Sequence, residues 1–272
     1  MKQIVKDYWN SRATLNEKAG TDDLIAKHLE MKAIEKYVKD GMKILDVGCG
    51  NGMTAIYLAK KYDIIVVGVD YSEEMVKEAK NEWKKAAGQH NSGLVWGTCG
   101  FLQKNVLSDE FKAMGDDYDL VFTERTIINL GTKDEQLEAI RNCINRVKLS
   151  SGRFLMLENS QTSLDKINDY RACLSLSMIT SPWHNRYLVD DEVTTDFVLD
   201  HKTDGVFVGV DNYSSTYYFL SRIVNAMYAA VTETKIDYDS WINQMALELP
   251  ALDVDFGQGK IWIYKRRLYS GI

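Results

Sequence analysis

The stretch "ILDVGCGNGMTAIYLAK", residues 44–60, constrains the fold more than any other part of the chain. It begins with an unbroken apolar run typical of a buried strand, passes through closely spaced glycines and continues with helical spacing. A strand, a glycine-rich turn and a helix in this order are typical of the βαβ unit of a parallel sheet. The turn therefore predicts a site where the backbone comes close to a bound ligand.

Apolar runs alternate with helical patterns on both sides of this turn. The runs read "KILDVG", "IIVVGVD", "YDLVFTE" and "GRFLMLEN", and Ser72 is placed to cap the helix after the second of them. Unbroken apolar strands predict a mostly parallel sheet that helices cover on both faces, and "GKIWIYKRR" alternates like a final strand. We therefore predict the α/β fold class, with the ligand at the carboxyl ends of the strands.

Composition and charge restrict the partners of a chain of this size. Apolar residues make up 45% and charged residues 26% of the 272 residues, and the net charge is −6. The acidic balance disfavours nucleic acid, no apolar run is long enough to span a membrane, and the N-terminus lacks a signal-peptide core. We expect a cytoplasmic protein with neither a nucleic-acid nor a membrane partner.

The cysteines and histidines predict neither a disulfide nor a metal site. The four cysteines lie far apart without a CxxC pair, and the four histidines are scattered along the chain. We expect reduced, partly buried thiols and no bound metal.

Two features separate the glycine turn from a dinucleotide-binding turn. The pattern G-x-G-x-x-G would need a third glycine where the chain has Met53. Asp46, two residues before Gly48, would repel a pyrophosphate and attract an ammonium or sulfonium group instead. Asp70 follows Gly50 by twenty residues, where a carboxylate can accept hydrogen bonds from ribose hydroxyls in either class of site.

The segments "ILDVGCGNG" and "VVGVDYSEEMVKEAK" resemble the first two motifs of class I S-adenosylmethionine-dependent methyltransferases. "LQKNVLSDEF" and "YDLVFTERTIINL" match the third and fourth, and "YWNSRA" resembles a segment that folds over the cofactor in many relatives. The resemblance implies a Rossmann-like seven-stranded sheet, mostly parallel with an antiparallel last strand. It also implies S-adenosyl-L-methionine as cofactor and S-adenosyl-L-homocysteine as product. An NAD-dependent oxidoreductase and a non-catalytic binding protein stay open as rivals from other classes.

The resemblance implies a role for each motif residue at the cofactor. The turn glycines let the backbone approach the methionine part, Asp70 holds the ribose, and Asn105 with Val106 contacts adenine. Asn105 stands where the family usually has Asp, and its amide oxygen can still accept a hydrogen bond. The cofactor-binding residues implied in this way are Tyr8, Trp9, Arg12, Asp46, Gly48, Gly50, Asp70, Tyr71, Asn105, Val106 and Thr123.

The motifs and the rhythm of the chain divide the sequence into four predicted segments. Residues 1–40 would form an N-terminal helical lid, and residues 41–160 the cofactor-binding core. Residues 161–258 are too many for one crossover and would add a strand and an acceptor-binding helical insertion. Residues 259–272 would supply the final core strand.

Few residues are candidates for chemistry on a methyl acceptor. His184 in "SPWHNRYL" has the pKa range of a general base, and a packed structural role is an equal alternative. Glu124 ends the fourth predicted strand, where catalytic groups gather, although it could serve the cofactor instead. The catalytic candidates are therefore His184 and Glu124.

The segment after the core predicts contacts to a small-molecule acceptor. Arg222 follows Tyr217 at helical spacing in "NYSSTYYFLSR" and could clamp a carboxylate or phosphate. The substrate-binding candidates are Glu158, Asn185, Tyr187, Tyr217 and Arg222. "PWHNRYL" and "SSTYYFLSR" also resemble, more distantly, methyltransferases of bacterial capsule and O-antigen polysaccharide biosynthesis, which implies O-methylation of a sugar- or phosphate-containing precursor. The alternative is a small-amine N-methyltransferase in which Glu124 or Glu158 holds the ammonium group.

Overall fold

The computed structural model describes residues 3–88, 97–199, 204–252, 254 and 256–267. The strands are β1 (Lys43–Val47), β2 (Ile65–Asp70), β3 (Thr98–Gln103), β4 (Leu120–Glu124), β5 (Arg153–Asn159), β6 (Gly205–Asp211) and β7 (Gly259–Arg266). The α-helices are α1 (Gln3–Arg12), α2 (Leu24–Glu35), α3 (Met53–Ala59), α4 (Glu73–Gly88), α5 (Asp109–Lys112), α6 (Lys133–Ile144), α7 (Gln161–Cys173), α8 (Asp190–Leu199), α9 (Ser215–Phe219), α10 (Asn225–Val231) and α11 (Trp241–Gln244).

The strands form one seven-stranded sheet in the order β3-β2-β1-β4-β5-β7-β6. The pairs from β3 through β5 are parallel, whereas β7 runs antiparallel to both of its neighbours. This confirms the predicted Rossmann-like sheet with an antiparallel last strand. Because the chain leaves β1 for β2 on one side and reaches β4 on the other, a crevice opens beyond the carboxyl ends of β1 and β4.

Strand alternation divides the core between the two faces of the sheet. Phe154 and Met156 of β5 pack with α6 on one face, and Leu155 and Leu157 pack with α2, α3 and α4 on the other. Both faces of the central strands are therefore buried, as the unbroken apolar runs predicted.

The predicted N-cap of α4, Ser72, is also confirmed, and its hydroxyl makes a second hydrogen bond. Ser72 Oγ accepts from the amide of Met75 at 3.1 Å and donates to Asn10 Oδ1 at 2.6 Å. The first contact satisfies a free amide at the start of α4. The second ties helix α1 to the edge of the crevice.

The chain after β5 contributes the crossover helices, β6 and a group of helices between β6 and β7. These last helices pack against α2 through Tyr217 and Ile242, which share a buried cluster with Ile25. Tyr217 also donates a 2.5 Å hydrogen bond to Asp23, the N-cap of α2. The four segment boundaries given above stay predictions.

Across the described ranges, the helices include none that is both long and apolar enough to cross a bilayer.

Candidate functional site

A pocket of about 1070 Å³, partly open to solvent, lies beyond the carboxyl ends of β1, β2 and β4. The glycine turn and Asp70 form its floor, and Lys6 and Trp9 of α1 cover it. The residues of the predicted cofactor set that line it are Trp9, Asp46, Gly48, Gly50, Asp70, Tyr71, Asn105 and Val106. The crevice that the sheet order creates is therefore the site to which the motifs point.

The turn after β1 adopts a backbone that only glycine accepts without strain. Gly48, Gly50 and Gly52 have φ angles of 80°, 53° and 81°. A Cβ on Gly48 would lie 1.9 Å from Thr126 Oγ1, whereas a Cβ on Gly50 would meet no atom within 4 Å. Gly48 is thus required for packing against the β4 connection, and Gly50 keeps open the space that faces the ligand.

Asp70 is held in place by backbone amides. Its two carboxylate oxygens accept from Gly50 N at 2.9 Å and from Ser72 N at 2.7 Å. Burial raises the pKa of Asp70, and these amide hydrogen bonds oppose that rise. A fixed carboxylate at this position suits a pair of ribose hydroxyls.

The far end of the pocket is suited to a flat, weakly polar group. Tyr71, Met75 and Val106 line it, and the ammonium of Lys6 lies 4.9 Å from the centroid of the Tyr71 ring. Asn105 Oδ1 accepts from Leu107 N at 3.0 Å, which fixes the side chain at the rim. The resemblance places adenine here, and that role of Asn105 stays a prediction.

Charged side chains converge at the opposite end. Glu124 accepts from Lys27 and, at 2.6 Å, from Thr54 Oγ1. Burial acts to raise the pKa of Glu124, but the charges of Lys27 and Arg125 outweigh it and hold the pKa well below its usual range. Burial, reinforced by the charge of Glu124, raises the pKa of Asp46. This end therefore offers acidic groups to a cationic amino-acid moiety.

A further acid, Glu30, backs this cluster from α2. Its carboxylate lies 3.2 Å from the guanidinium of Arg125, which in turn reaches the carbonyl of Gly20 at 3.4 Å. Burial raises the pKa of Glu30, and the charge of Arg125 opposes the rise. Arg125 has a φ of 52°, uncommon for a side chain of this size, at the point where β4 ends.

Asn129 joins the cover of the pocket to the predicted acceptor segment. Its side-chain oxygen accepts from Trp9 Nε1 at 3.1 Å and from Asn185 Nδ2 at 3.2 Å. Its side-chain nitrogen donates to the carbonyl of Arg125 at 2.7 Å. Asn129 lines the pocket, so Trp9 and Asn185 meet at its edge.

His184 stands in an aromatic cluster beside this junction. Its ring centroid is 4.5 Å from that of Tyr8, 5.5 Å from that of Trp9 and 5.2 Å from that of Trp183. Its Nδ1 is buried and has no hydrogen-bond partner among the described residues. Burial, reinforced by the charge of Arg12, lowers the pKa of His184. The predicted lid and the predicted base are thus in direct contact.

Three predicted residues act near the pocket without lining it. Tyr8 stacks on His184 as described, and Arg12 donates to the carbonyls of Ala19 at 2.8 Å and Lys18 at 2.5 Å. Arg12 thereby holds the loop whose Ala19 lines the pocket. Thr123 is fully buried and does not line the pocket, because successive side chains of β4 point to opposite faces. The fourth motif reaches the pocket through Glu124 and Thr126 instead.

Glu158 does not line this pocket, in contrast to its predicted place at the acceptor. Its oxygens accept from the amides of Thr126 and Ile127, both at 3.0 Å, and of Ile128 at 3.3 Å. Burial raises the pKa of Glu158 to about 7, although these hydrogen bonds oppose the rise. Glu158 therefore fixes the connection after β4, which carries Thr126 and Asn129 into the pocket.

The remaining predicted substrate residues lie behind the pocket. Tyr187 is buried, and its hydroxyl accepts from Gln258 Nε2 at 3.2 Å. Tyr217 is buried against α2 with its hydroxyl bonded to Asp23. Arg222 contacts Tyr238, and neither Tyr217 nor Arg222 lines the pocket. Their contacts to an acceptor stay predictions.

Lys27 and Asn129 line the pocket but were absent from the predicted set. Lys27 belongs to α2, and its position in the sequence is that of an ordinary charged residue on a helix. Asn129 follows β4 within "RTIINL", and an amide at the end of a strand was the one available signal for it.

The pocket residues fit S-adenosylmethionine. Gly50 leaves open the space that a Cβ would fill, Asp70 presents a fixed carboxylate, and Asp46 lies where a cationic amino acid would end. Asp46 and Glu124 lie at the end assigned to the ammonium and sulfonium groups, where Lys27 and Arg125 also line the pocket.

Comparison with known proteins agrees with this assignment. A family model described as a methyltransferase domain matches residues 38–190, more than half of the chain. Cyclopropane-fatty-acyl-phospholipid synthase of Escherichia coli strain K12 is 25% identical over 162 residues, which are 59% of this chain and 34% of that protein. Ribosomal protein L11 methyltransferase of Thermotoga neapolitana is 30% identical over 135 residues, 47% of this chain and 49% of that protein. The chain thus spans about a third to a half of these relatives' lengths.

A solved structure shows the same fold over nearly the whole chain. Magnesium protoporphyrin IX methyltransferase from Synechocystis PCC 6803, with bound SAH, has a TM-score of 0.58 and 16% identity, and the match covers 98% of this chain and 100% of that one. The matched family domain contains the glycine turn, Asp70 and Glu124. The chain therefore belongs to the S-adenosylmethionine-dependent methyltransferase family.

Proposed function

We propose that this chain transfers the methyl group of S-adenosyl-L-methionine to an oxygen atom of a small polar metabolite. The cofactor supplies an activated methyl group, so the protein has to align the acceptor, exclude water and accept a proton. The observation that carries the proposal is the position of His184, whose buried Nδ1 lacks a partner among the described residues beside the Trp9–Asn129–Asn185 junction.

His184 is suited to take the proton of an acceptor hydroxyl. Burial and the charge of Arg12 lower its pKa, so the imidazole is neutral at neutral pH. A neutral imidazole with a free nitrogen can hydrogen-bond to a hydroxyl and accept its proton as the oxygen attacks the methyl group. The rings of Tyr8, Trp9 and Trp183 pack around the imidazole and fix its position.

An amine acceptor is the second candidate, and the geometry favours it less. It required Glu124 or Glu158 to hold an ammonium group. Glu124 is paired with Lys27 and Thr54 at the end of the pocket assigned to the cofactor's own ammonium group. Glu158 accepts from the backbone amides of Thr126 and Ile127 and does not line the pocket. Neither carboxylate is therefore placed to hold the ammonium group of an acceptor.

The acceptor class that we propose is a sugar- or phosphate-containing precursor of a bacterial surface polysaccharide. The likeness of "PWHNRYL" and "SSTYYFLSR" to the polysaccharide methyltransferases supports this class, and the first of these segments contains His184. The small-molecule acceptor, the cytoplasmic location and the absence of nucleic-acid and membrane partners belong to the same proposal.

Mass spectrometry of small-molecule pools tests the function directly. Purified protein is incubated with methyl-labelled S-adenosylmethionine and pools of sugar nucleotides, sugar phosphates, phosphoramidates and simple amines. We expect label on an oxygen of a sugar- or phosphate-bearing compound. Label on an amine nitrogen would replace the proposal with the N-methyl alternative. Absence of label from all pools, with S-adenosylhomocysteine still bound, would refute the acceptor class and leave the family assignment in place.

A further inference from the structure

Arg222 lies in an unusual turn of a continuous helical segment. Helix α9 continues into α10 through a π-helical stretch, Leu220–Val224, and Arg222 is at its centre. A π-helical turn inside an α-helix is often found at a functional site, because the wider turn moves a side chain out of the regular helical positions.

Tyrosines hold the guanidinium of Arg222 on two sides. Its NH1 donates to Tyr238 Oη at 2.8 Å, and its Cζ lies 5.5 Å and 5.2 Å from the ring centroids of Tyr218 and Tyr238. Its Nε is buried without a hydrogen-bond partner among the described residues. The group is therefore oriented by aromatic rings and keeps an N–H donor that no acceptor among the described residues uses.

A second guanidinium, that of Arg171 in α7, lies beside it. Arg171 is 5% exposed, and its Nε donates to the carbonyl of Ser177 at 2.7 Å. Its NH1 donates to the backbone carbonyl of Arg222. Burial and the nearby charge of Arg222 both lower the pKa of Arg171.

The positive charge of this pair has no acidic counterpart within the part of the chain that the structure describes. Neither guanidinium forms an ion pair with a carboxylate there, whereas Arg186 and Arg266 do. Arg171 is buried, and holding its charge beside a second cation is costly unless a negative charge joins them. The arrangement is that of a site prepared for an anion.

The pair is connected to the pocket through packed side chains. Tyr218, whose ring centroid lies 5.5 Å from Arg222 Cζ, shares a buried cluster with Ile25 and Ala26 of α2. Glu30 of the same helix pairs with Arg125, and Arg125 lines the pocket. Helix α2 therefore links the side of the fold that holds the arginine pair to the charged end of the pocket.

We propose that Arg171 and Arg222, with the hydroxyl of Tyr238, form a subsite for a phosphate-type anion. A phosphate offers several oxygens and up to two negative charges, which match two guanidinium groups and one hydroxyl donor. As the phosphate group of the acceptor, this anion would give the acceptor its orientation, and that part of the inference rests on the proposed function. A free phosphate ion would use the same donors.

Isothermal titration calorimetry with inorganic phosphate tests the subsite in the full chain. We expect the wild type to bind phosphate and Arg222→Gln to bind at least about tenfold more weakly, since a charge-assisted hydrogen bond is lost. Arg266→Gln, which removes a guanidinium paired with Asp116, is the matched control and should bind like the wild type. Lack of phosphate binding by the wild type, or equal binding by Arg222→Gln, would overturn the proposal.

Arg171→Gln could unfold the chain, since Arg171 is buried; Arg222→Lys is therefore the second variant. It keeps the charge but loses the planar fork, and we expect an intermediate affinity. Titration with S-adenosylhomocysteine runs in parallel. If the wild type does not bind S-adenosylhomocysteine, the proposed function is refuted. If it binds S-adenosylhomocysteine but not phosphate, the subsite alone is refuted.

The labelling assay shows whether the anion is the phosphate group of the acceptor or a free phosphate ion, when a sugar phosphate is compared with its dephosphorylated counterpart. If the acceptor carries it, a sugar phosphate should be labelled, its dephosphorylated counterpart should not, and Arg222→Gln should raise KM with little change in kcat. If free phosphate is the ligand, both sugars should respond alike and added phosphate should change the wild-type rate but not that of Arg222→Gln.

Discussion

The two halves of the pocket are built in different ways. At the cofactor end, Asp46, Gly50, Asp70 and Glu124 stand at or just after strand ends, and neighbouring strands fix their positions. At the proposed acceptor end, Trp9 and Asn129 line the pocket, and His184 contacts Trp9 beside it. These three residues come from distant parts of the chain and meet only through side chains. The first half is therefore specified by spacing along the sequence, and the second by tertiary packing.

The two halves also differ in what holds them. Asp70 is fixed by amides of the glycine turn and of Ser72, whereas Trp9 is held to the acceptor side through one side-chain oxygen of Asn129. Backbone contacts move only when the sheet moves, but side-chain contacts exchange with rotamers. We therefore expect changes at the cofactor end to affect cofactor affinity, and changes at the acceptor end to affect turnover.

The largest expected effect is on turnover. His184→Ala should lower kcat by about 10²–10⁴-fold, because a positioned general base is lost. S-adenosylhomocysteine affinity, measured by calorimetry, should stay near the wild-type value. His28→Ala, an exposed histidine on α2, is the control. Unchanged turnover in His184→Ala would show that His184 is not the general base.

The pH profile sharpens the same point. The pKa of His184 is lowered from 6.5 by burial and Arg12, so the neutral, active form predominates above that pH. As pH falls through the lowered pKa the base becomes protonated, and kcat/KM should fall about tenfold per pH unit on that limb. The limb should have its midpoint below pH 6.5 and be absent from His184→Ala. If the acidic fall in kcat/KM persists in His184→Ala, a group other than His184 is responsible for it.

Gly50→Val should cost about a hundredfold in S-adenosylhomocysteine affinity, with kcat under saturation much less affected. The side chain enters the open space at Gly50 and strains a φ of 53°. Gly100→Val is the matched control, since its Cβ also meets nothing within 4 Å but lies on β3 outside the pocket lining. Equal affinity in the two variants would mean that the turn does not face the cofactor.

Asp70→Ala should weaken the same affinity by about tenfold to a hundredfold, through loss of a charge-assisted acceptor. The control is Asp40→Ala, which removes an exposed carboxylate that accepts from a backbone amide, that of Asp63, at 2.8 Å. Wild-type affinity in Asp70→Ala would contradict the ribose assignment.

Asn129→Ala should have the smallest effect, about a twofold to tenfold loss in kcat/KM, because the neutral hydrogen bonds of its side chain to Trp9, Asn185 and the carbonyl of Arg125 disappear. Trp9 fluorescence should report a looser environment in the variant. Asn81→Ala, on the exposed side of α4, serves for comparison. If Asn129→Ala weakens cofactor affinity as much as Asp70→Ala does, the two ends of the pocket do not have separate roles in cofactor binding and turnover.

The sequence predicted the cofactor half well, for a physical reason. Strand ends, glycines and acids recur at spacings that a parallel sheet imposes, so Gly48, Gly50 and Asp70 could be placed without a structure. The parallel part of the sheet followed from the same alternation, and the number of seven strands from the resemblance.

Residues whose place depends on tertiary packing show where prediction from sequence stops. Thr123 was assigned to the cofactor although the alternation of β4 turns it away, and Glu158 looked like a substrate ligand although backbone amides occupy it. Lys27 and Asn129 could not be selected, because one helical lysine or one loop asparagine looks like many others until packing brings it to the pocket. The pairing of Arg171 with Arg222 likewise depends on contact between two helical segments.

The most direct test of the proposed cofactor and acceptor ends of the pocket is a crystal structure with bound S-adenosylhomocysteine. It should place the ribose hydroxyls within about 3 Å of the Asp70 carboxylate. The amino-acid end should lie at Asp46 and Glu124, and the sulfur should face the Trp9–Asn129–His184 junction. A ligand that lies elsewhere, or whose sulfur faces away from His184, would contradict the account.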